Sequence, residues 1–143
     1  MTALEIAGRI VRQFEGCCLA PYEDVAGRWT VGVGHLIPPD QAIQDVTQEE
    51  ADSLFFYDLS LADDCVTQAV TVTLTDNQRA ALISFVFNLG CASLKKSTLL
   101  RKLNAGDTVG ACQEFKKWDN AGGKPVGGLL RRRTAEAALF AKP

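Results

Sequence analysis

Phe14-Glu15-Gly16-Cys17-Cys18-Leu19-Ala20-Pro21-Tyr22-Glu23-Asp24-Val25-Ala26-Gly27-Arg28-Trp29-Thr30-Val31-Gly32-Val33-Gly34-His35 is where this chain changes character. Before it, Thr2 and Glu5 have the spacing of a capping box, and Ala3, Ile6, Ala7, Ile10, Val11 and Phe14 recur at helical spacing. That apolar face ends near Gly16. Within the stretch, Tyr22, Val25, Trp29, Thr30, Val31 and Val33 are strand formers and Ala26-Gly27 supplies a turn, which predicts a small β-hairpin over 21–35. Pro38-Pro39 closes the region.

Everything downstream reads as helix. Thr47-x-x-Glu50 caps a long helix through Ala51, Leu54, Phe55, Leu61, Ala62 and Cys65, and Thr75-x-x-Gln78 caps an apolar one through Ala81, Leu82, Phe85, Val86 and Leu89 that stops at Gly90. The second of these is the expected core. Ser97 and Asp107 read as caps of two short helices, 121–128 as a loop, and Leu129–Phe140 as a final helix. The fold class is α+β and the chain one domain over 1–143. Its parts are a small N-terminal hairpin lobe (about 17–46) and a larger all-helical lobe (about 1–14 and 69–143), joined by a long helix (about 48–68).

The 143 residues are 47% apolar and 22% charged, enough for one hydrophobic core and unlike a disordered or fibrous chain. The longest uncharged stretch, Ala80 to Leu94, falls short of the roughly 20 apolar residues of a spanning helix, so stable membrane insertion is not expected. The N-terminus carries Glu5 and lacks a basic-then-apolar leader, which predicts a cytosolic product. Net charge is −2, yet residues 1–70 hold 3 basic and 12 acidic side chains (−9) and residues 71–143 hold 12 and 5 (+7). The basic half would either steer an anionic polymer or pair with the acidic half. No aromatics interleave Lys95-Lys96 or Lys116-Lys117, which disfavours nucleic acid.

Chemistry concentrates in Glu15, Asp24 and Thr30, spaced Glu-x8-Asp-x5-Thr. A helix C-terminus and the apolar neighbours Phe14 and Leu19 favour a neutral carboxyl at Glu15, which suits a general acid. Asp24 and Thr30 lie on opposite arms of the expected hairpin, where a carboxylate and a hydroxyl can hold a water between them. The spacing arises by chance about 0.03 times in a chain of this composition. The plainer alternative is that Asp24 stabilises a turn and Thr30 is an ordinary strand residue.

Phe14-Glu15-Gly16, Pro21-Tyr22-Glu23-Asp24 and Gly27-Arg28-Trp29-Thr30-Val31-Gly32-Val33-Gly34-His35-Leu36 resemble the phage-type lysozymes, the endolysins of glycoside hydrolase family 24. Gln78 to Gly90, ending Phe87-Asn88-Leu89-Gly90, and Gly128-Leu129-Leu130-Arg131-Arg132-Arg133 into Ala135-Glu136 extend the likeness over almost the whole chain. The resemblance implies a lysozyme-like fold and hydrolysis of the β-1,4 bond between N-acetylmuramic acid and N-acetylglucosamine in peptidoglycan, causing host cell lysis. It makes Glu15 the proton donor, Asp24 the second carboxylate and Thr30 the residue that helps place the water. It also implies inversion at the anomeric carbon, which needs carboxyls about 6.5–9.5 Å apart. Leu36 and Phe87 match substrate-lining positions, Thr98 matches one through a poorly aligned loop, and His35 matches a family position at which a lone histidine reads as a structural hydrogen bond or ion pair before a catalytic contact. Arg131, Arg132 and Arg133 read either as contacts to the wall polymer or as a solvated helix end.

No metal or cofactor is implied. There is no CxxC pair and His35 is the sole histidine, so the five cysteines, Cys17, Cys18, Cys65, Cys91 and Cys112, read as reduced thiols. Some membrane-tethered relatives cage a catalytic-site residue in a disulfide, which makes a redox latch at Cys17 or Cys18 the rival reading. The expected partner is peptidoglycan, approached by a monomer that waits in the host cytoplasm for a holin-type release partner and then acts on the wall from the periplasm.

Overall fold

The computed structural model describes residues 1–121 and 123–143. Three capping boxes start the main helices where the sequence places them. Thr2, Thr47 and Thr75 each accept from the backbone three residues on, and Glu5, Glu50 and Gln78 reach back to the cap. They open α1 (Ala3–Phe14), α2 (Gln48–Ala69) and α3 (Asp76–Leu89). Gly90 ends α3 with φ +89°, a left-handed conformation that glycine adopts without steric cost.

Between α1 and α2 the chain forms three antiparallel strands in the order β1 (Cys18–Glu23), β2 (Trp29–Gly32), β3 (His35–Leu36). The expected two-stranded hairpin is thus incomplete. β1 starts three residues before Pro21, across an irregularity between Cys18 and Tyr22, and β3 is only two residues long, too short to leave a periodic signal. Tyr22 pairs with Thr30, and Thr30 with Leu36, so the sheet sets these positions side by side.

After α3 come α4 (Cys91–Lys95), α5 (Thr98–Asn104) and α6 (Thr108–Glu114), a 3₁₀ turn over Phe115–Lys117, the two-residue strands β4 (Asn120–Ala121) and β5 (Lys124–Pro125), and α7 (Gly127–Ala141). Ser97 and Asp107 cap α5 and α6 as expected. The stretch read as a loop over 121–128 instead contains the end of β4, all of β5 and the first two residues of α7, so the helical lobe also carries a small β-ribbon. Gly123, at φ +79°, lets that ribbon turn, while Gly122 lies outside the described residues.

The core is built around α3, whose residues Ala80, Ala81, Leu82, Ile83, Ser84, Phe85 and Val86 are all buried. α1, α2 and α7 pack around it. Phe85 meets Phe115 and Trp118 edge-on, with ring centroids 5.7 and 5.5 Å apart, and Phe115 meets Phe140 at 5.4 Å. Each such buried ring contributes roughly 1.5–3 kcal/mol by removal from water. α2 touches both this helical core and the sheet, and His35 on β3 ties to it through Nδ1 to Asp58 Oδ2 at 2.8 Å. The expected structural role of His35 matches that contact.

The cysteines depart from the uniform reduced set. Cys65 of α2 and Cys91 of α4 are joined in a disulfide, a pairing that depends on how α2 and α4 pack and leaves no trace in local spacing. Cys17 and Cys18 are exposed and unpaired, and the half-buried Cys112 thiol donates to the Ala137 carbonyl oxygen. The opposed charges of the two halves do little pairing with each other. Among the described residues, only Arg79–Asp63 and Arg132–Glu15 join them as ion pairs, and the rest form within a half.

Candidate active site

Glu15 terminates α1. Its backbone leaves the helix at φ −97°, ψ 127°, while its N–H still donates to the Val11 carbonyl oxygen. This exit turns the chain toward the sheet and leaves the side chain at the edge of a cleft of about 730 Å³. Asp24, Thr30, Leu36 and Phe87 line the same cleft, with Tyr22, Arg28, Gly34 and Asn88 among the other walls. The volume lies within the roughly 300–1,000 Å³ range of small-molecule sites. Thr98 is not among the lining residues. It is the first residue of α5, where its hydroxyl accepts from Arg101, so its neighbourhood is the α4–α5 corner.

Asp24 sits just past β1 in the turn that leads to β2. Its Oδ1 accepts from the backbone N–H groups of Ala26 at 2.9 Å and Arg28 at 2.8 Å, and its Oδ2 from Arg28 Nε at 3.0 Å. The Arg28 backbone bond, with the Ala26 N–H and the Arg28 guanidinium, holds the carboxyl below the ordinary carboxylate range. The turn-stabilising alternative for Asp24 is therefore real, and the same bonds fix an anion at the cleft wall. Thr30 is almost wholly buried, and its hydroxyl donates to the Arg28 carbonyl oxygen at 3.1 Å. With the proton engaged, the oxygen can only accept from a molecule in the cleft.

Glu15 has two neighbours that no local spacing announces. Arg132 Nη1 lies 3.4 Å from its Oε2, so an arginine, and not only the expected apolar neighbours, faces the carboxyl; Leu19 is exposed. The other neighbour is Gly34. A Cβ on Gly34 would come within 2.9 Å of Glu15 Oε1, and the residue has φ +66°. Gly34 is thus glycine for two reasons, its left-handed backbone and the close approach of the acid.

That gives a paired expectation. Gly34→Ala drives a methyl against Glu15 and lowers turnover by about 10²-fold, the scale set by a misplacement near 1 Å. Gly32→Ala carries the same φ of +66°, but its Cβ would meet Ala51 and not the acid. It costs stability, about 1–2 kcal/mol from the left-handed backbone, and leaves turnover within a fewfold of wild type. Melting temperature and kcat, measured on both variants, check the contrast; equal turnover in the two would refute it.

Arg132 and Arg133 are neither wall contacts nor a solvated helix end. They are 3% and 0% exposed, and both turn inward to Glu136, which is 0% exposed. Arg133 Nε lies 2.7 Å from Glu136 Oε1, close but off the hydrogen-bond line, and its Nη2 donates to Glu136 Oε2 at 3.2 Å. Arg132 Nε reaches Glu136 Oε2 at 3.4 Å, and Arg132 Nη2 donates to the Ser84 carbonyl and hydroxyl oxygens. Only Arg131 of the three is exposed. The spacing carries a clue to this arrangement, since Glu136 falls four and three residues after the two arginines, on one face of α7 with Ala137 and Phe140.

Comparison with known proteins places the whole chain. The phage lysozyme family model matches residues 12–136. An endolysin of Acyrthosiphon pisum secondary endosymbiont phage 1 is 43% identical over 136 residues, covering 92% of each chain. The muramidase domain of SpmX from Asticaccaulis excentricus superposes with a TM-score of 0.85 at 33% identity, covering 96% of this chain and 95% of that one. A point mutant of P22 lysozyme does so with a TM-score of 0.83 at 33% identity, over 99% of both. With a family model spanning the stretch from α1 to Glu136, and relatives alike over nearly their full length, the chain belongs to the phage lysozyme family.

Proposed function

We propose that this phage lysozyme hydrolyses the β-1,4 bond between N-acetylmuramic acid and N-acetylglucosamine with Glu15 as general acid and Asp24 and Thr30 directing the water. The observation that carries the reading is that all three side chains line one cleft, the acid from the end of α1, Asp24 from the β1–β2 turn and Thr30 from β2. The hairpin region over 17–46 and the helical part of the chain form the two walls. Glu15 protonates the leaving glycosidic oxygen. The water hydrogen-bonds to Thr30 Oγ1, whose own hydroxyl donates to the Arg28 carbonyl oxygen, and to the Asp24 carboxylate, which leaves a lone pair aimed at the anomeric carbon. As the new C–O bond forms the water becomes acidic and gives its proton to Asp24, and solvent returns one to Glu15.

Asp24 serves chiefly as a fixed negative charge. A carboxylate pinned by two backbone amides and a guanidinium is a weak base, but it stabilises positive charge developing on the sugar ring without having to reorganise. Leu36, exposed on β3, and Phe87, stacked edge-on against Phe55 with centroids 5.6 Å apart, offer apolar surface to the sugar rings. Thr98 is left without a role in this cleft. The place of action is the cell wall.

Digestion of purified peptidoglycan tests the reading. Hydrolysis leaves reducing N-acetylmuramic acid ends, whereas attack by the sugar's own hydroxyl leaves anhydro ends and makes Asp24 and Thr30 superfluous. Thr30→Ala lowers the hydrolytic rate about tenfold, the scale of one lost hydrogen bond, because Asp24 still holds the water. Anhydro ends in place of reducing ends, or binding to peptidoglycan with no cleavage, would overturn the proposal.

A further inference from the structure

Asn88 stands where the catalytic cleft meets a second groove. Both Glu15 and Asn88 line the 730 Å³ cleft and also a groove of about 530 Å³ that runs past Phe14 and Arg132 along the start of α7. Asn88 belongs to the last turn of α3, and its amide has one orientation open to it. Arg133 Nη2 lies 2.8 Å from Asn88 Oδ1. A guanidinium only donates, so the end of the amide that faces it must be the oxygen. Arg133 cannot turn to accommodate the other end, because it is fully buried and bound to Glu136. The Nδ2 end makes no bond to the described residues. It is therefore the end offered at the junction of the two grooves, as a pair of N–H donors in the cleft that Glu15 also lines.

We propose that Asn88 recognises the substrate by donating from Nδ2 to the N-acetyl carbonyl oxygen of a sugar flanking the scissile bond, with the buried Arg133 as the residue that positions its amide. This rests on the muramidase reading and adds the group that selects N-acetylated glycan. The chemistry favours the acetamido oxygen over a ring hydroxyl. A hydroxyl can donate or accept and occurs on any polysaccharide, whereas a carbonyl only accepts and matches a site that only donates. A site built this way rejects a glycan with a poorer acceptor, because the donors are then left unpaired.

The test measures kcat/KM on peptidoglycan and on the same polymer after removal of the acetyl groups and N-trifluoroacetylation, which keeps the amide neutral and weakens the acceptor, though the group is larger and withdraws electrons from the sugar. Wild type prefers the acetylated polymer by about tenfold more than those steric and inductive effects alone impose. Asn88→Asp retains an oxygen for Arg133, so it melts at or above the wild-type temperature, yet it has no N–H and lowers the ratio about tenfold, to the value those effects alone set. Its added charge in the cleft slows both polymers alike and drops out of the ratio. Asn88→Ala lowers the ratio as far as Asn88→Asp does, and it melts lower because Arg133 loses a partner. Asn88→Asp holding the wild-type ratio would overturn the assignment while leaving the muramidase reading intact. Wild-type turnover in Glu15→Gln on the acetylated polymer would overturn that reading and this proposal with it.

Discussion

Glu15→Gln is expected to clear outer-membrane-stripped cells about 10²–10⁴ times more slowly than wild type, the range that a positioned general acid supplies. The substitution keeps the size and shape of the side chain, so it fits the space that Gly34 leaves open. An amide oxygen can still accept from Arg132 Nη1. What is lost is the one proton that can reach the glycosidic oxygen. The variant should therefore fold normally, with a melting temperature within a few degrees of wild type, and still bind peptidoglycan. The pairing of an intact fold with lost turnover is what separates a chemical role from a structural one. Clearing at the wild-type rate would remove Glu15 from the mechanism.

The parts of the molecule legible in the sequence are those fixed by neighbours in the chain. The capping boxes at Thr2, Thr47 and Thr75 and the caps at Ser97 and Asp107 are readable because each is closed by bonds three residues apart. The burial of α3 follows from an apolar run too long to leave a solvent face. Glu15, Asp24 and Thr30 are legible as a set because their spacing is unusual, and they do line one cleft.

What is not legible depends on contacts between distant segments. The Cys65–Cys91 disulfide joins residues 26 positions apart, and nothing near either one marks the pairing. The strand β3 is two residues long and exists because β2 offers it an edge. The onset of α7 at Gly127 is hidden by two glycines that local propensity places in a loop. Arg132 and Arg133 mislead because arginine is mostly a surface residue, and only the fold supplies the buried carboxylate that makes the interior tolerable for them.

Glu136→Gln tests that carboxylate and carries the largest stability effect expected in the molecule. In the folded protein Glu136 faces two guanidiniums and the Ser84 hydroxyl, with no exposure to solvent. Burial pushes its carboxyl above the ordinary range, and Arg133, Ser84 and Arg132 pull against that shift. Replacing the charge with a neutral amide leaves the two buried arginines with no anion except the partly exposed Glu15. Breaking a buried pair in this way costs about 3–5 kcal/mol. For a chain of this length that lowers the melting temperature by roughly 10–20 °C. The loss extends to chemistry, because Arg132 then has Glu15 as its one remaining carboxylate and is drawn toward the acid that must give up a proton. Glu136→Gln should accordingly lose turnover even well below its melting temperature, whereas a purely structural cluster would cost only stability. Thermal melts and kcat at a temperature where both proteins are fully folded separate the two outcomes. A melting temperature within about 2 °C of wild type would mean that the arginines are neutralised by something other than Glu136. Unchanged turnover in the folded variant would mean that the cluster holds α7 to α3 without holding Glu15.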